Sequence, residues 1–391
     1  MRIVDVESIP CDFGWRTISF CKVTTDDGIT GWSEFSESFG NPGLGTVIEG
    51  LKPYVIGADP MAIEALTWDL AARLLPARGG VNRQAIAAVE NALLDVKGKA
   101  LGVPVAGLLS GVVRDRIPVY WSHCGTYRSR NADVMGVDPV ETYADVVALG
   151  RHVKERGFRG LKTNILGLED PAVRTRMVSH ARTTTTAGRH FDNRMLAEAE
   201  KTLGAFREGA GTEMDIHLDV NFLFELEGYR RVEKAVRPYD LAWLEFDTHD
   251  PAGVAALRAA SATPVASGEA IYERVGYRPF FEAGSWDVAI VDVLWNGYLE
   301  SLKIAALAGA YSVPVAPHNF YGHLATLISA HFAASVPHLH VMETDIDAVS
   351  WRDDLVDVPP VIENGELLLP DRPGWGVEVN EEAVRAHAPN R

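Results

Sequence analysis

The chain has 391 residues, 47% of them hydrophobic, with 35 glycines and a net charge of −16. That length exceeds one typical domain but suits a barrel of about 250 residues with a module added to it. The acidic balance argues against nucleic acid and anionic membranes as partners, so an anionic substrate must be met by a local cation, a metal or an arginine. Cys11, Cys21 and Cys124 are too few and scattered for a disulfide framework or a thiolate metal site, and read as packing residues. The N-terminus alternates apolar and polar residues and shows no signal peptide. No run approaches the roughly 20 apolar residues of a membrane span. A cytoplasmic protein is expected.

Residues 1–60 alternate with turn signals (TTDDGITG, NPGLG, GADP), as a small antiparallel sheet would. Residues 61–110 switch to helical spacing, and AIAAVENALLDVKGKALG ends in a glycine suited to a helix C-cap. Eight strands then follow near 118–124, 159–164, 215–221, 241–246, 264–268, 287–292, 312–317 and 338–343, with amphipathic helices between most of them. Such alternation predicts an α/β fold with a parallel sheet, and eight units predict closure into a (β/α)₈ barrel. The turn-rich tail after about residue 356 is expected to pack back on the N-terminal module. The predicted division is 1–115, 116–355 and 356–391.

Asp219, Glu245, Glu269, Asp292, His318 and Glu343 each stand where an apolar run stops, at intervals of 26, 24, 23, 26 and 25 residues. In a closed barrel these strand ends share one face, where active sites are built. Asp219, Glu245 and Glu269 are three carboxylates on adjacent strands, whose mutual repulsion a hard divalent cation would relieve. All-oxygen ligation suits Mg²⁺ better than zinc; separate salt bridges are the competing reading. Asn221 shares a strand face with Asp219 and could assist, or could cap the strand end. Asp292 beside His318 would fix the imidazole's tautomer and make it a general acid/base. Glu343 could bind substrate or pair with that dyad, and the bland reading is a helix-entry acid.

Lys162, in GLKTN, ends the second strand and could act as a base or hold an anion, with Asn164 on the same face. From Lys162 to Asp219 is 57 residues, and the surplus, around LGLEDPAVRTRMVSHARTTTTAGRHFDN, is expected to lie over the site. Arg16 in the first loop, and Arg182, Arg189 and His190 in the insertion, are candidates for the distal end of a substrate. A solvated surface charge is the alternative for each. Trp295, Asn319, Tyr321 and His323 follow strand ends and are candidate pocket residues, Tyr321 and His323 equally candidates for packing.

The segments AAVENALLDVKGKALGVPVAGLL, LKTN, DVN, WLEFD, SGEA, VDVLWNG and APHN together resemble the enolase superfamily, mandelate racemase/muconate lactonizing enzyme type. The resemblance covers nearly the whole chain. It implies an N-terminal α+β cap over a modified barrel, completed by the tail, and Mg²⁺ on Asp219, Glu245 and Glu269. It also implies an Asp292–His318 dyad facing the base position of the second strand, and abstraction of the proton α to a carboxylate. A Lys or His base acting with Mg²⁺ is the chemistry that such a resemblance implies.

Two departures narrow the expectation. Racemases of the family carry Lys-x-Lys on the second strand, whereas this chain has Lys162 and Asn164. The Lys-x-Asn form resembles galactonate-type dehydratases, yet their acid histidine, two residues after the first metal ligand, is Asn221 here. His217, on the same strand, reads as core. The metal segment is EFD rather than Glu-Glu-Pro, and LLSG replaces LLGG. The expected activity is Mg²⁺-dependent dehydration of an acid sugar, an aldonate or aldarate, with His318 as base and either His318 or Lys162 as acid. The alternatives are racemisation or epimerisation by Lys162 and His318, and a non-catalytic metabolite-binding protein. A homo-oligomer acting on a small carboxylate is expected.

Overall fold

Strands β1 (Ile3–Asp12), β2 (Thr17–Thr25) and β3 (Thr30–Phe35) form an antiparallel sheet in the order β1-β2-β3. The computed structural model describes residues 1–38, 41–75, 78–109, 111–178 and 190–389. In β1 the buried residues are Ile3, Val6, Ile9 and Cys11, and its pairing with β2 is irregular between Ile3 and Asp5. Helix α1 (Leu44–Val55) interrupts the region expected to be all strand. Its buried Leu44, Ile48, Leu51 and Val55 recur at helical spacing, so the sequence did carry the signal. Helices α2 (Ile63–Arg73) and α3 (Gly80–Leu101) follow as expected. Gly102 ends α3 in the left-handed conformation, φ 70°, with its N–H on the Lys99 carbonyl at 3.2 Å.

Eight parallel strands come next: β4 (Arg116–Trp121), β5 (Gly160–Thr163), β6 (Asp215–Asp219), β7 (Trp243–Glu245), β8 (Val265–Ser267), β9 (Val288–Asp292), β10 (Val315–His318) and β11 (Met342–Thr344). They pair in chain order from β4 to β10, and β11 pairs with β4 through Met342–Val119 and Thr344–Trp121. A bridge between Val315 and Leu339 completes the ring. All eight lie where the sequence puts them, because strands covered on both faces read as short apolar runs. The barrel interior is filled by Tyr120, Trp243, Ala266, Val288, Ile290 and Ala316. His217 lies between Tyr120 and Trp243, with ring centroids 4.8 and 3.7 Å away, which makes it the core residue its position suggested.

Crossover helices surround the ring: α4 (Arg128–Met135), α5 (Tyr143–Glu155), α6 (Pro171–Val178), α7 (Asn193–Ala210), α8 (Leu226–Val236), α9 (Pro251–Ala260), α10 (Glu273–Ala283), α11 (Val293–Asn296), α12 (Tyr298–Ala310) and α13 (His323–Ser335). The long β5–β6 connection contains α6 and α7.

Sheet and barrel are joined by buried polar contacts that only matching partners can satisfy. Glu34 of β3 accepts the N–H groups of Gly322 and Ala325 at the start of α13, at 2.5 and 3.1 Å. Asn91 and Glu90 of α3 accept those of Tyr298 and Leu299 at 3.0 and 2.9 Å. The tail returns as a hairpin, β12 (Ile362–Glu363) and β13 (Glu366–Leu368), and a short helix α14 (Glu381–Ala386) that lies against β1. Between them Trp375 is fully buried, and its indole N–H reaches the Trp32 and Asn91 carbonyls at 3.1 and 3.2 Å.

Candidate active site at the barrel mouth

Each strand places its last residues at one rim, so groups far apart in sequence meet there. Lys162 of β5 is buried, with Nζ 2.8 Å from Glu343 Oε1, 3.2 Å from Glu245 Oε2 and 3.7 Å from Asp219 Oδ2. Burial works against its charge, but Glu245 and Glu343 hold the ammonium well above its usual range. Glu343 takes further hydrogen bonds from the Ser122 hydroxyl and, at 2.9 Å, from the Asn319 N–H. Burial raises it, yet Lys162 and His318 keep its carboxyl well below the ordinary carboxylate range.

His318 ends β10 with Nδ1 2.6 Å from Asp292 Oδ2 and Nε2 3.2 Å from Glu269 Oε2. Its Nε2 is 4.0 Å from the second oxygen of Glu343. A carboxylate only accepts, so Nδ1 donates to Asp292, and Nε2 faces Glu269. Burial disfavours the imidazolium, but Glu269 and Asp292 push the pKa up to about 10. Asp292 is itself fixed by the Trp295 N–H at 2.8 Å and by the Tyr321 hydroxyl at 2.6 Å. Tyr321 therefore supports the dyad rather than simply packing. The side chain of His323 turns to Asp353 at 2.6 Å and leaves the site.

Asn164 is tied at both ends of its amide, donating to the Asp219 carbonyl at 2.8 Å and accepting from the Thr126 hydroxyl at 3.0 Å. Asn319 donates to the Glu343 carbonyl at 3.1 Å and to the hydroxyl of Thr326, on α13, at 3.0 Å. Both amides, expected to touch substrate, bridge strand ends, and the Asn319 amide oxygen is buried with no hydrogen-bond partner among the described residues. Asn221 adopts φ 49° and donates its backbone N–H to Asp219 Oδ1 at 2.8 Å. Arg16 reaches from the β1–β2 loop to the mouth and pairs with Asp345 at 3.1 Å and with the Phe320 carbonyl. It is buried among Phe13, Trp15, Tyr127 and Phe320. Of the other expected distal contacts, His190 is exposed beside Glu227, and Arg182 and Arg189 lie outside the described residues.

Among the described residues, no three His, Cys, Asp or Glu side chains are grouped to hold a metal ion. Asp219 and Glu245 face Lys162, and Glu269 faces His318. The donor chemistry nevertheless fits a hard divalent cation. Burial pushes Glu245 up to about 8 against the pull of Lys162, and drives Glu269 well above its ordinary range. A fourth carboxylate, Asp247, is buried two residues past Glu245 and pushed up to about 6 by burial and by Asp219. Its Oδ1 meets the Ser267 hydroxyl and the Gly268 N–H at 3.3 Å, but its Oδ2 has no hydrogen-bond partner among the described residues. Excess buried negative charge with an orphaned oxygen is what an oxygen-ligated cation neutralises. Asp247 was legible only as the oddity of EFD.

Residues 13–110 match the mandelate racemase/muconate lactonizing enzyme N-terminal domain, and residues 145–383 match the enolase C-terminal domain-like family. A D-xylonate dehydratase of Haloferax volcanii is 29% identical, with 99% of this chain and 89% of that protein covered. A D-galactonate dehydratase of Pectobacterium atrosepticum is 29% identical over 95% of this chain and 91% of its own. A Burkholderia xenovorans protein named as a candidate L-alanine-DL-glutamate epimerase, solved with magnesium and fumarate, superposes with a TM-score of 0.95. It is 45% identical, covering 99% of this chain and 96% of that one. The chain belongs to the mandelate racemase/muconate lactonizing enzyme family of the enolase superfamily, with that family's cap and curled barrel.

Proposed function

We propose that this protein is an Mg²⁺-dependent dehydratase of an acid sugar, an aldonate or aldarate, which it converts to a 2-keto-3-deoxy acid. The observation that carries the reading is the imidazole clamped at the end of β10, His318 on Asp292 at 2.6 Å. Asp219, Glu245 and Glu269 would hold the cation, with Asp247 beside them. When bound, Mg²⁺ supplies positive charge to the side of the substrate that carries the carboxylate. Lys162 adds a second cation at the same rim. With Glu269 engaged by the cation and no longer holding the imidazolium, His318 Nε2 would remove the proton α to the carboxylate, and Asp292 and Tyr321 hold the ring in the tautomer this requires. A β-hydroxyl then leaves. The dehydratase relatives support this class of substrate and reaction.

The 45% identical Burkholderia protein, named as a candidate epimerase, favours a second reading, epimerisation of an α-substituted acid. That reaction needs a base on each face. On the β5 side, Asn164 stands where the family's racemases carry the second lysine, and its amide is bound at both ends. The one-base dehydratase is the better fit.

Purified protein with Mg²⁺, screened against mono- and diacid sugars with semicarbazide detection of 2-keto acids, should return at least one substrate. His318→Asn should lose about 10²–10⁴-fold in turnover with an unchanged circular dichroism spectrum. Silence across the library, with deuterium entering the α-position from D₂O, would replace dehydration by epimerisation. Near-normal turnover by the variant would remove His318 from the base role.

A further inference from the structure

A departing hydroxyl needs a proton, and none of the residues singled out in the sequence is dedicated to supplying it. A second imidazole stands at the same mouth. His123 follows β4 with a backbone φ of 47°, in the left-handed region, which is uncommon for residues other than glycine although histidine enters it more readily than most. Such a conformation persists only where the surroundings over-determine it, and it concentrates at functional sites.

The surroundings here are specific. His123 Nδ1 is 3.0 Å from Asp345 Oδ1, and the ring lies flat on Tyr127 with centroids 4.4 Å apart and planes at 11°. The other oxygen of Asp345 is held by Arg16 at 3.1 Å, so the acceptor cannot swing away. Nδ1 therefore donates to Asp345, and Nε2 is the ring's free end. The His123 side chain keeps 19% of its surface exposed while Asp345 keeps 1%, which turns the ring rather than its anchor towards solvent.

The pair also stands beside the reaction centre. The Phe320 ring lies 6.0 Å from His123 and 5.0 Å from His318, so one aromatic side chain borders both imidazoles. Ser122, the neighbour of His123, donates to Glu343, whose carboxylate reaches Lys162 at 2.8 Å and His318 at 4.0 Å. The mouth thus holds two imidazoles, each oriented through Nδ1 by a buried aspartate, one on β10 and the other after β4.

We propose that His123 is the general acid that protonates the departing β-hydroxyl, an assignment that rests on the acid-sugar dehydratase reading. His318 Nε2 takes the proton from C2, and the C–H electron pair passes into the carboxylate as an enediolate. That pair then forms the C2–C3 double bond while the C3–O bond breaks. The C–O pair leaves on oxygen, which takes the proton from His123 Nε2 and departs as water. The resulting enol gains a proton at C3 and gives up its C2 hydroxyl proton to solvent to become the 2-keto acid, and His318 releases the proton it took to solvent. One water is lost, and no oxidant or reductant is needed. His123 recovers its proton from solvent through its exposed edge.

The test uses His123→Asn, because asparagine tolerates the left-handed backbone, and His123→Gln as a second variant. Three rates are measured on the acid sugar that the wild type dehydrates and on its 3-deoxy-3-fluoro analogue: 2-keto acid formation, loss of the C2 proton in D₂O, and fluoride release. Both variants should lose about 10²–10⁴-fold in dehydration. They should keep C2 exchange within a few-fold of the wild type, and release fluoride within about tenfold, since fluoride leaves without a proton. His318→Asn should lose all three. Dehydration within about threefold of the wild type in either His123 variant would overturn the assignment. So would parallel loss of exchange and fluoride release, which marks a structural role. A wild type that dehydrates no acid sugar would overturn the reading beneath it, before any variant is made.

Discussion

Acidification should loosen the joint between the barrel and the C-terminal segment through one histidine. His331 of α13 is fully buried; its Nδ1 accepts the Ala106 N–H at 3.1 Å, and its Nε2 meets the Trp375 carbonyl at 3.2 Å. Both bonds are made by one neutral tautomer. Burial lowers the pKa to about 4 from an ordinary 6.5, and the Trp375 carbonyl opposes this only in part. The folded protein therefore binds fewer protons than the unfolded chain between these values. Its contribution to stability is complete above pH 6.5 and is lost as the pH falls towards 4. At about 1.4 kcal/mol for each tenfold change, the displacement from 6.5 to about 4 is worth about 3 kcal/mol. Urea unfolding of the wild type and His331→Gln at pH 7.5 and pH 4.5 measures it, since other titrating groups cancel in the difference. The wild type's advantage over the variant should shrink by about 2–3 kcal/mol at the lower pH. A difference that does not change with pH would refute the buried neutral histidine.

Two further perturbations test the cap and the cation site. Asp95 of α3 accepts the backbone N–H groups of Trp32 and Trp375 at 2.9 and 3.0 Å. Asp95→Ala should cost about 2–5 kcal/mol by leaving two buried donors unpaired, read as a lower urea midpoint; an unchanged midpoint would contradict the tail's docking. Asp247→Asn removes a buried charge with an unpartnered oxygen. The variant should melt higher than the wild type without metal, and show a smaller rise in melting temperature on adding Mg²⁺. An equal Mg²⁺-induced rise in both proteins would exclude Asp247 from the cation's surroundings.

What the sequence made legible follows from spacing. The ladder from Asp219 to Glu343 could be read because each ionisable group interrupts an apolar run at the same point of a repeating unit. The groups that escaped are those whose role depends on a turn or on a distant partner. His123 lies beyond β4 in a left-handed turn, and its partner Asp345 is 222 residues away. Asp247 stands two residues past its strand's last member, visible only as a departure from a family pattern. Arg16 could be placed at the mouth, but whether it faces substrate or Asp345 is decided by packing. The same holds for Asn164 and Asn319, where the right face was readable but the hydrogen-bond partner was not.

The charged partners at the rim have a common logic. Three strand-end carboxylates, Asp219, Glu245 and Glu343, surround Lys162, and Glu343 also faces His318. His318 leads through Nδ1 to Asp292 and through Nε2 to Glu269. On the other flank, Arg16 fixes Asp345, which fixes His123. Opposite charges thus alternate across the rim, and each imidazole is held by an anion with a second anchor of its own. Buried charges so arranged gain little net stability, because desolvation offsets attraction. They do fix geometry, since moving any one of them strands its neighbours without a partner. Arg16 comes from the β1–β2 loop of the cap while Asp345 and His123 come from the barrel, so the cap must be seated for this flank to be aligned. Cap and barrel are in this sense one catalytic device. Their shared contacts at Glu34, Glu90 and Asn91 are therefore as much a part of the active site's construction as the strand ends themselves.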